Sequence, residues 1–217
     1  MKKKLKIDIV SDVVYPWCTI GYKRLEKAIE ELGVEDKIEI EWQPFELNPQ
    51  MPAKGQNVIE HIAEKYGSSI EEQKQSQERL TEFGAELGFK FDYFDEMRIV
   101  NTREAHILLD YAQEEGKQTE LNVHFVTAFF SERKDISKRE ILLQEIESVG
   151  LDKTEALKRL ENKEALDKII AKEQFWQSRG ISSVPTMVFN STSALRGAQP
   201  VDVYKQVLTQ LLSEKEN

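Results

Sequence analysis

The sequence predicts an α/β fold in two halves, held apart along the chain by a helical block. Three observations predict it. Residues 7–42 read strand, helix, strand. Residues 186–213 read strand, strand, helix. Between them, from about Asn57 to Gly180, the pattern is helical.

Each element has a local reason. Ile7-Asp8-Ile9-Val10 is nearly continuous in apolar residues, as in a strand buried on both faces. Pro16 suits the first position of a helix, where its missing N–H costs no hydrogen bond. Ile20, Leu25, Ala28, Ile29 and Leu32 then fall on one stripe, and Gly33 supplies the stop. Residues 37–42 alternate, with Ile38, Ile40 and Trp42 on one face and Lys37, Glu39 and Glu41 on the other. That is a strand half exposed or near an edge. The first three elements form a βαβ unit with a right-handed crossover. Gln43 to Pro49 leaves the sheet in an extended path, and Pro49, Pro52 and Gly55 mark a linker.

Helices are predicted near 57–66, 69–87, 102–115, 118–131, 138–149, 153–160 and 162–179. Asn101-Thr102 and Ser137 are the expected caps. Phe89 to Met97 is aromatic-rich and reads as an extended crossing between helices. Thr186-Met187-Val188-Phe189 is a buried strand, and Ala194-Leu195-Arg196 is its short partner across a turn at 190–193. Asp202 to Ser213 is a final amphipathic helix. The expected domains are a discontinuous sheet domain, 1–50 with 181–217, and a helical insertion domain, 51–180.

Composition narrows the function classes. A chain of 217 residues suits one domain with an insertion. A net charge of −9 argues against a nucleic-acid or anionic-membrane partner, because both need a basic face. Met1-Lys2-Lys3-Lys4 resembles the start of a signal peptide, but Lys6 and Asp8 interrupt the apolar run that should follow. No apolar run approaches the roughly 20 residues of a membrane span. A single cysteine cannot close an internal disulfide, which fits a reducing compartment. A cytoplasmic location is expected. His61, His106 and His124 are far apart in sequence, and no metal-ligand spacing is visible.

The chemistry concentrates in Ser11-Asp12-Val13-Val14-Tyr15-Pro16-Trp17-Cys18, between the first strand and the first helix. The segment reads like a Cys-x-x-Cys site whose first cysteine is a tyrosine. Residues 8–24 resemble the active-site segment of cytoplasmic DsbA-like proteins of the FrnE type, whose text is close to Ser-Asp-x-x-Cys-Pro-Trp-Cys-x-x-Gly. Ser11, Asp12, Pro16, Trp17, Cys18 and Gly21 match, and Tyr15 does not. Pro44 to Pro49, Asn101-Thr102 with Ala105-His106, Ala128-Phe129-Phe130 with Asp135-Ile136, Val184-Pro185-Thr186 and Gly197-Ala198-Gln199-Pro200 match in the same order along the chain. The resemblance implies a thioredoxin-like fold, βαβ…ββα, with a large inserted helical domain. It implies thiol–disulfide oxidoreductase ancestry, related to the 2-hydroxychromene-2-carboxylate isomerases.

The resemblance also assigns roles. Cys18 is the second, less exposed thiol, and Tyr15 occupies the nucleophile position. A phenol titrates near about pH 10 and forms no disulfide, so two-thiol exchange within one chain is closed. Several readings stay open. The chain is a degenerate member that binds a thiol or disulfide peptide, or a non-catalytic peptide-binding or holdase module. Alternatively it is a glutathione-dependent isomerase or transferase, with Cys18 as a lone thiol or Tyr15 donating to bound glutathione. A sequence change is a further reading, since Cys and Tyr codons can differ by one base. No tightly bound cofactor is expected, and glutathione is the candidate small ligand.

The remaining site residues follow from the same resemblance. It implies a cis Val184-Pro185 bond packed against the 15–18 turn, with the Val184 backbone able to pair with an extended substrate. Pro16 and Trp17 wall the site. Asn48 and Asn101 begin or end segments that the family layout brings over the cleft, with capping and turn formation as the competing reading. His106 is read as packed rather than catalytic. A homodimer is possible through apolar residues of 121–130.

Overall fold

The computed structural model describes residues 4–214. The chain forms two compact units, one running to Phe45 and resuming at Lys172, the other spanning Glu46–Ala171. These boundaries differ from the expected 50/51 and 180/181, for visible reasons. Residues 46–48 bond within the helical unit: Arg103 donates to the Glu46 carboxylate at 2.9 Å, and Lys65 Nζ donates to Asn48 Oδ1 at 2.8 Å. Residues 179 and 180 bond to the sheet's last hairpin, through Arg179 Nη2 to Ser191 O and Arg196 Nη2 to Gly180 O.

The sheet unit contains strand β1 (Leu5–Ser11), helix α1 (Pro16–Leu32) and strand β2 (Ile38–Pro44). Its second half contains β5 (Thr186–Phe189), β6 (Ser193–Arg196) and α9 (Val201–Glu214); the intervening elements are given below. Strand order is β2-β1-β5-β6. β1 runs parallel to β2, from Leu5↔Ile38 to Ser11↔Pro44. β5 runs antiparallel to both β1 and β6. β2 runs two residues past the expected Trp42, because Gln43 and Pro44 still pair with Val10 and Ser11.

β1 is central and its Leu5, Ile7, Ile9 and Val10 are fully buried. Asp8 is the exception in its sequence and is buried too. Gln43 Nε2 donates to it at 2.8 Å and Lys6 Nζ lies 3.3 Å away. Burial nevertheless raises the Asp8 carboxyl above its ordinary value. α1 buries Ile20, Leu25, Ala28 and Ile29 and packs against α9, which buries Tyr204 and Leu208. Gly33 ends α1 in the left-handed region, φ 62°, where a side chain would be strained.

The helical unit holds a two-residue strand β3 (Gln56–Asn57), α2 (Val58–Tyr66), α3 (Ile70–Glu86), a second short strand β4 (Arg98–Ile99), α4 (Arg103–Glu114), α5 (Gln118–Phe130), α6 (Arg139–Ser148), α7 (Lys153–Glu161) and most of α8 (Lys163–Ser178). The β3–β4 ladder was not expected; each strand is too short to carry a period. Asn57, Ser69 and Asp152 cap α2, α3 and α7 through their side chains. Ser137 is not a cap: its N–H and hydroxyl both donate to Asp135 Oδ1. Thr102 stands at the cap of α4 without a side-chain bond, and Asn101 Oδ1 accepts from Arg103 N instead. Leu121, Phe125, Phe129 and Phe130 are buried and form core, while Val123 is half-buried. Among the described residues no helix is long and apolar enough to cross a membrane.

Candidate functional site

The site is built at the C-terminal end of β1. Phe45 N donates to Ser11 O at 3.1 Å, which closes the β1–β2 pair there. The chain then turns, with Tyr15 N donating to Asp12 O at 3.2 Å. Tyr15 is extended, at φ −105° and ψ 112°, and Pro16 opens α1 immediately after it. Cys18 N donates back to Tyr15 O at 2.9 Å. The first turn of α1 carries no carboxylate, so no side-chain anion there offsets the positive end of the helix dipole.

The four residues of this turn stand in different surroundings. Tyr15, Pro16 and Trp17 are half-buried. Cys18 is only 2% exposed. Burial pushes its thiol up to about 12, against the pull of bonds from the Ser11 side chain and the Asp12 backbone. The nearby Asp12 carboxylate pushes the same way as burial. At neutral pH the sulfur is therefore a thiol, and a thiol is a poor nucleophile.

The second half of the site is the entry to β5. The Val184–Pro185 peptide is cis. Pro185 O accepts from Gly197 N at 2.8 Å, and Thr186 Oγ1 donates to Ser183 O at 2.7 Å. Val184 is 8% exposed, and among the described residues its backbone N–H and C=O make no hydrogen bond. α1 meets this segment at Gly21. A Cβ on Gly21 would come within 3.0 Å of Pro185 Cγ and 3.2 Å of Met187 Cε. Glycine is needed there for close approach, not for its torsion angles.

Within the sheet unit, Pro16, Trp17 and Cys18 open the helix whose Gly21 lies against Pro185, and Tyr15 stands at its cap. Asn48 and Asn101 belong to the helical unit, where Lys65 and Arg103 N occupy their side-chain oxygens. His106 is buried in that unit as well. Sequence reasoning missed the Ser11–Cys18 bond, although Ser11 stood in the motif. Arg24, whose Nη1 donates to Ala198 O at 2.9 Å, and the buried Tyr204 lie in the same unit, and no motif marks either. Among the described residues no group of three or more His, Cys, Asp or Glu could hold a metal ion.

Residues 6–209 match the family described as the DSBA-like thioredoxin domain. The uncharacterized protein YwbO of Bacillus subtilis (strain 168) is 30% identical over 216 residues, covering 94% of this chain and 95% of YwbO. The crystal structure of a probable DsbA oxidoreductase from Streptomyces coelicolor superposes with a TM-score of 0.90 at 30% identity, covering 97% of this chain and 91% of that one. The cytosolic disulfide reductase DsbM from Pseudomonas aeruginosa, solved with GSH, shares the fold at a TM-score of 0.67 and 17% identity, covering 96% and 100% of the two chains. The chain belongs to the DSBA-like thioredoxin domain family, within the DsbA-like thiol–disulfide oxidoreductases.

Proposed function

We propose that this chain is a cytoplasmic, FrnE-type member whose site receives a cysteine-containing extended chain without carrying out two-thiol exchange. One observation carries this: the one cysteine of the sequence, Cys18, is buried and protonated at the site, while the helix N-terminus presents Tyr15. In two-thiol exchange, the thiol at the helix N-terminus is the thiolate that attacks a disulfide. The second thiol then displaces the mixed intermediate. A phenol makes no sulfur–sulfur bond, so the first step has no nucleophile at Tyr15. Cys18 alone would leave a mixed disulfide with no second thiol to release it.

Recognition is a separate matter. An extended chain can pair with the open N–H and C=O of Val184, as a strand adds to a sheet edge. The positive end of α1 favours an anionic sulfur on the bound partner. A second reading rests on the Tyr15 hydroxyl, which is suited to donate to the thiolate of bound glutathione; the DsbM structure solved with GSH shares this fold.

Insulin reduction with excess dithiothreitol tests the proposal. Turbidity is expected to develop at the uncatalysed rate, while a cysteine-containing hexapeptide shifts the Val184 amide resonance. Catalysis abolished by Cys18→Ala would defeat it. Saturable quenching of tryptophan fluorescence by millimolar glutathione, lost in Tyr15→Phe, would favour the second reading.

A further inference from the structure

The turn Gly197-Ala198-Gln199-Pro200 connects β6 to α9, and three elements hold it. Gly197 N donates to Pro185 O at 2.8 Å. Arg24 Nη1, from α1, donates to Ala198 O at 2.9 Å. Gln199 N donates to the phenol oxygen of Tyr204 at 3.4 Å, and that hydroxyl faces Met187 Sδ at 3.6 Å. Tyr204 is fully buried in α9. The Gln199 side chain turns back to Arg196 O at 2.7 Å, which stiffens the turn internally.

These contacts act against one another. Gly21 is a stop: α1 already approaches Pro185 and Met187 so closely that one methyl would press on both, at 3.0 and 3.2 Å, while only touching the Ala198 backbone at 3.5 Å. Arg24 is a tie: its charged donor draws the turn onto the same helix. Tyr204 is a second, neutral tie from the other side. A stop opposed by ties fixes a spacing more sharply than packing alone. The spacing fixed here separates the helix that begins at Pro16 from the turn that holds the Pro185 carbonyl. Val184 immediately precedes Pro185 in the chain.

We infer that Arg24, and more weakly Tyr204, are positioning residues that set the Val184 backbone relative to the N-terminus of α1. Neither touches the incoming chain. This rests on the proposal that Val184 receives an extended partner.

The test uses the full chain and an S-methylcysteine hexapeptide as probe. Arg24→Met keeps the aliphatic stem and removes the charged donor. Its peptide affinity is expected to fall about tenfold, the scale of one charge-assisted hydrogen bond. Arg24→Lys returns a charged donor and is expected to recover most of the loss. Tyr204→Phe is expected to cost about threefold, as for one neutral bond. In the free protein the Gly197 and Val184 amide resonances are expected to move in Arg24→Met and to return toward their original positions in Arg24→Lys. Wild-type affinity in Arg24→Met, or an affinity loss that Arg24→Lys does not recover, overturns the inference. If the wild-type protein itself fails to bind the peptide, the proposed function falls, and the amide resonances alone decide positioning. Unmoved Gly197 and Val184 resonances in Arg24→Met then overturn it. If Arg24→Met does not fold, Arg24→Lys and Tyr204→Phe decide: resonances and affinity identical to wild type in both overturn it.

Discussion

The two halves of the site have kept different things. The half at the start of α1 keeps the turn, the proline and the positive helix end, but Tyr15 stands where an attacking thiol would be and Cys18 is buried. The half at Val184-Pro185 has a cis peptide and, among the described residues, a Val184 backbone that makes no hydrogen bond. Recognition in such a site is a property of main-chain geometry, which no single side-chain replacement removes. Two-thiol exchange needs two sulfur atoms, and this sequence has one cysteine. On the proposed function, recognition and exchange come apart in this chain, and each can be tested alone.

The largest expected effect concerns Cys18. A thiol raised from 9.0 to about 12 and shielded from solvent should react with iodoacetamide at pH 8 about a thousandfold more slowly in the native protein than in urea. Mass spectrometry of timed samples measures this. Rapid native labelling would erase the contrast between the two halves, because Cys18 would then be an available nucleophile.

A smaller effect probes the contact between the halves. Gly21→Ala gains helix propensity of about 1 kcal/mol but presses a methyl onto Pro185 and Met187, at a cost of about 1–3 kcal/mol. The net expectation is a loss of about 1 kcal/mol in urea unfolding. A gain would mean that Pro185 gives way easily and that the spacing is soft.

The smallest effect isolates burial from site chemistry. Asp8 lies on the same strand that leads into the site, and its carboxyl is raised above 3.8 chiefly by desolvation. The folded state thus holds a proton that the unfolded state has released. The stabilisation from Asp8 is complete below pH 3.8 and fades as pH rises through the raised folded value. Between pH 3 and 7, Asp8→Asn should therefore show a steeper rise, or a shallower fall, of Tm than the wild type. An identical slope would show that Asp8 is not titrating from a raised value.

Much of the fold was legible because its signals are local. Pro16 and Gly33 bracket α1 at the positions where the helix starts and stops. The apolar run at 186–189 is strand β5. Elements without a local period were not legible. The β3–β4 ladder pairs residues about 40 positions apart and exists because Gly55 lets Ile99 O approach. Ser137 looked like a cap, but a neighbouring aspartate, Asp135, claims it. At the site, the motif marked Tyr15 to Cys18 and Val184-Pro185, while the depth of Cys18 needed the packing of α1 on α9. The Arg24–Ala198 bond spans 174 residues, and nothing in either local sequence signals it.

The most direct measurement is insulin reduction by Tyr15→Cys beside the wild type, under the same dithiothreitol. The substitution returns a thiol to the helix N-terminus, where the dipole favours its thiolate, with Cys18 in place to resolve the mixed disulfide. Catalysis at least about tenfold above the wild type, lost again in Tyr15→Cys with Cys18→Ser, is the expected result. Equal activity of the wild type and Tyr15→Cys would contradict the separation of recognition from exchange. So would a folded, peptide-binding Tyr15→Cys that stays at the uncatalysed rate.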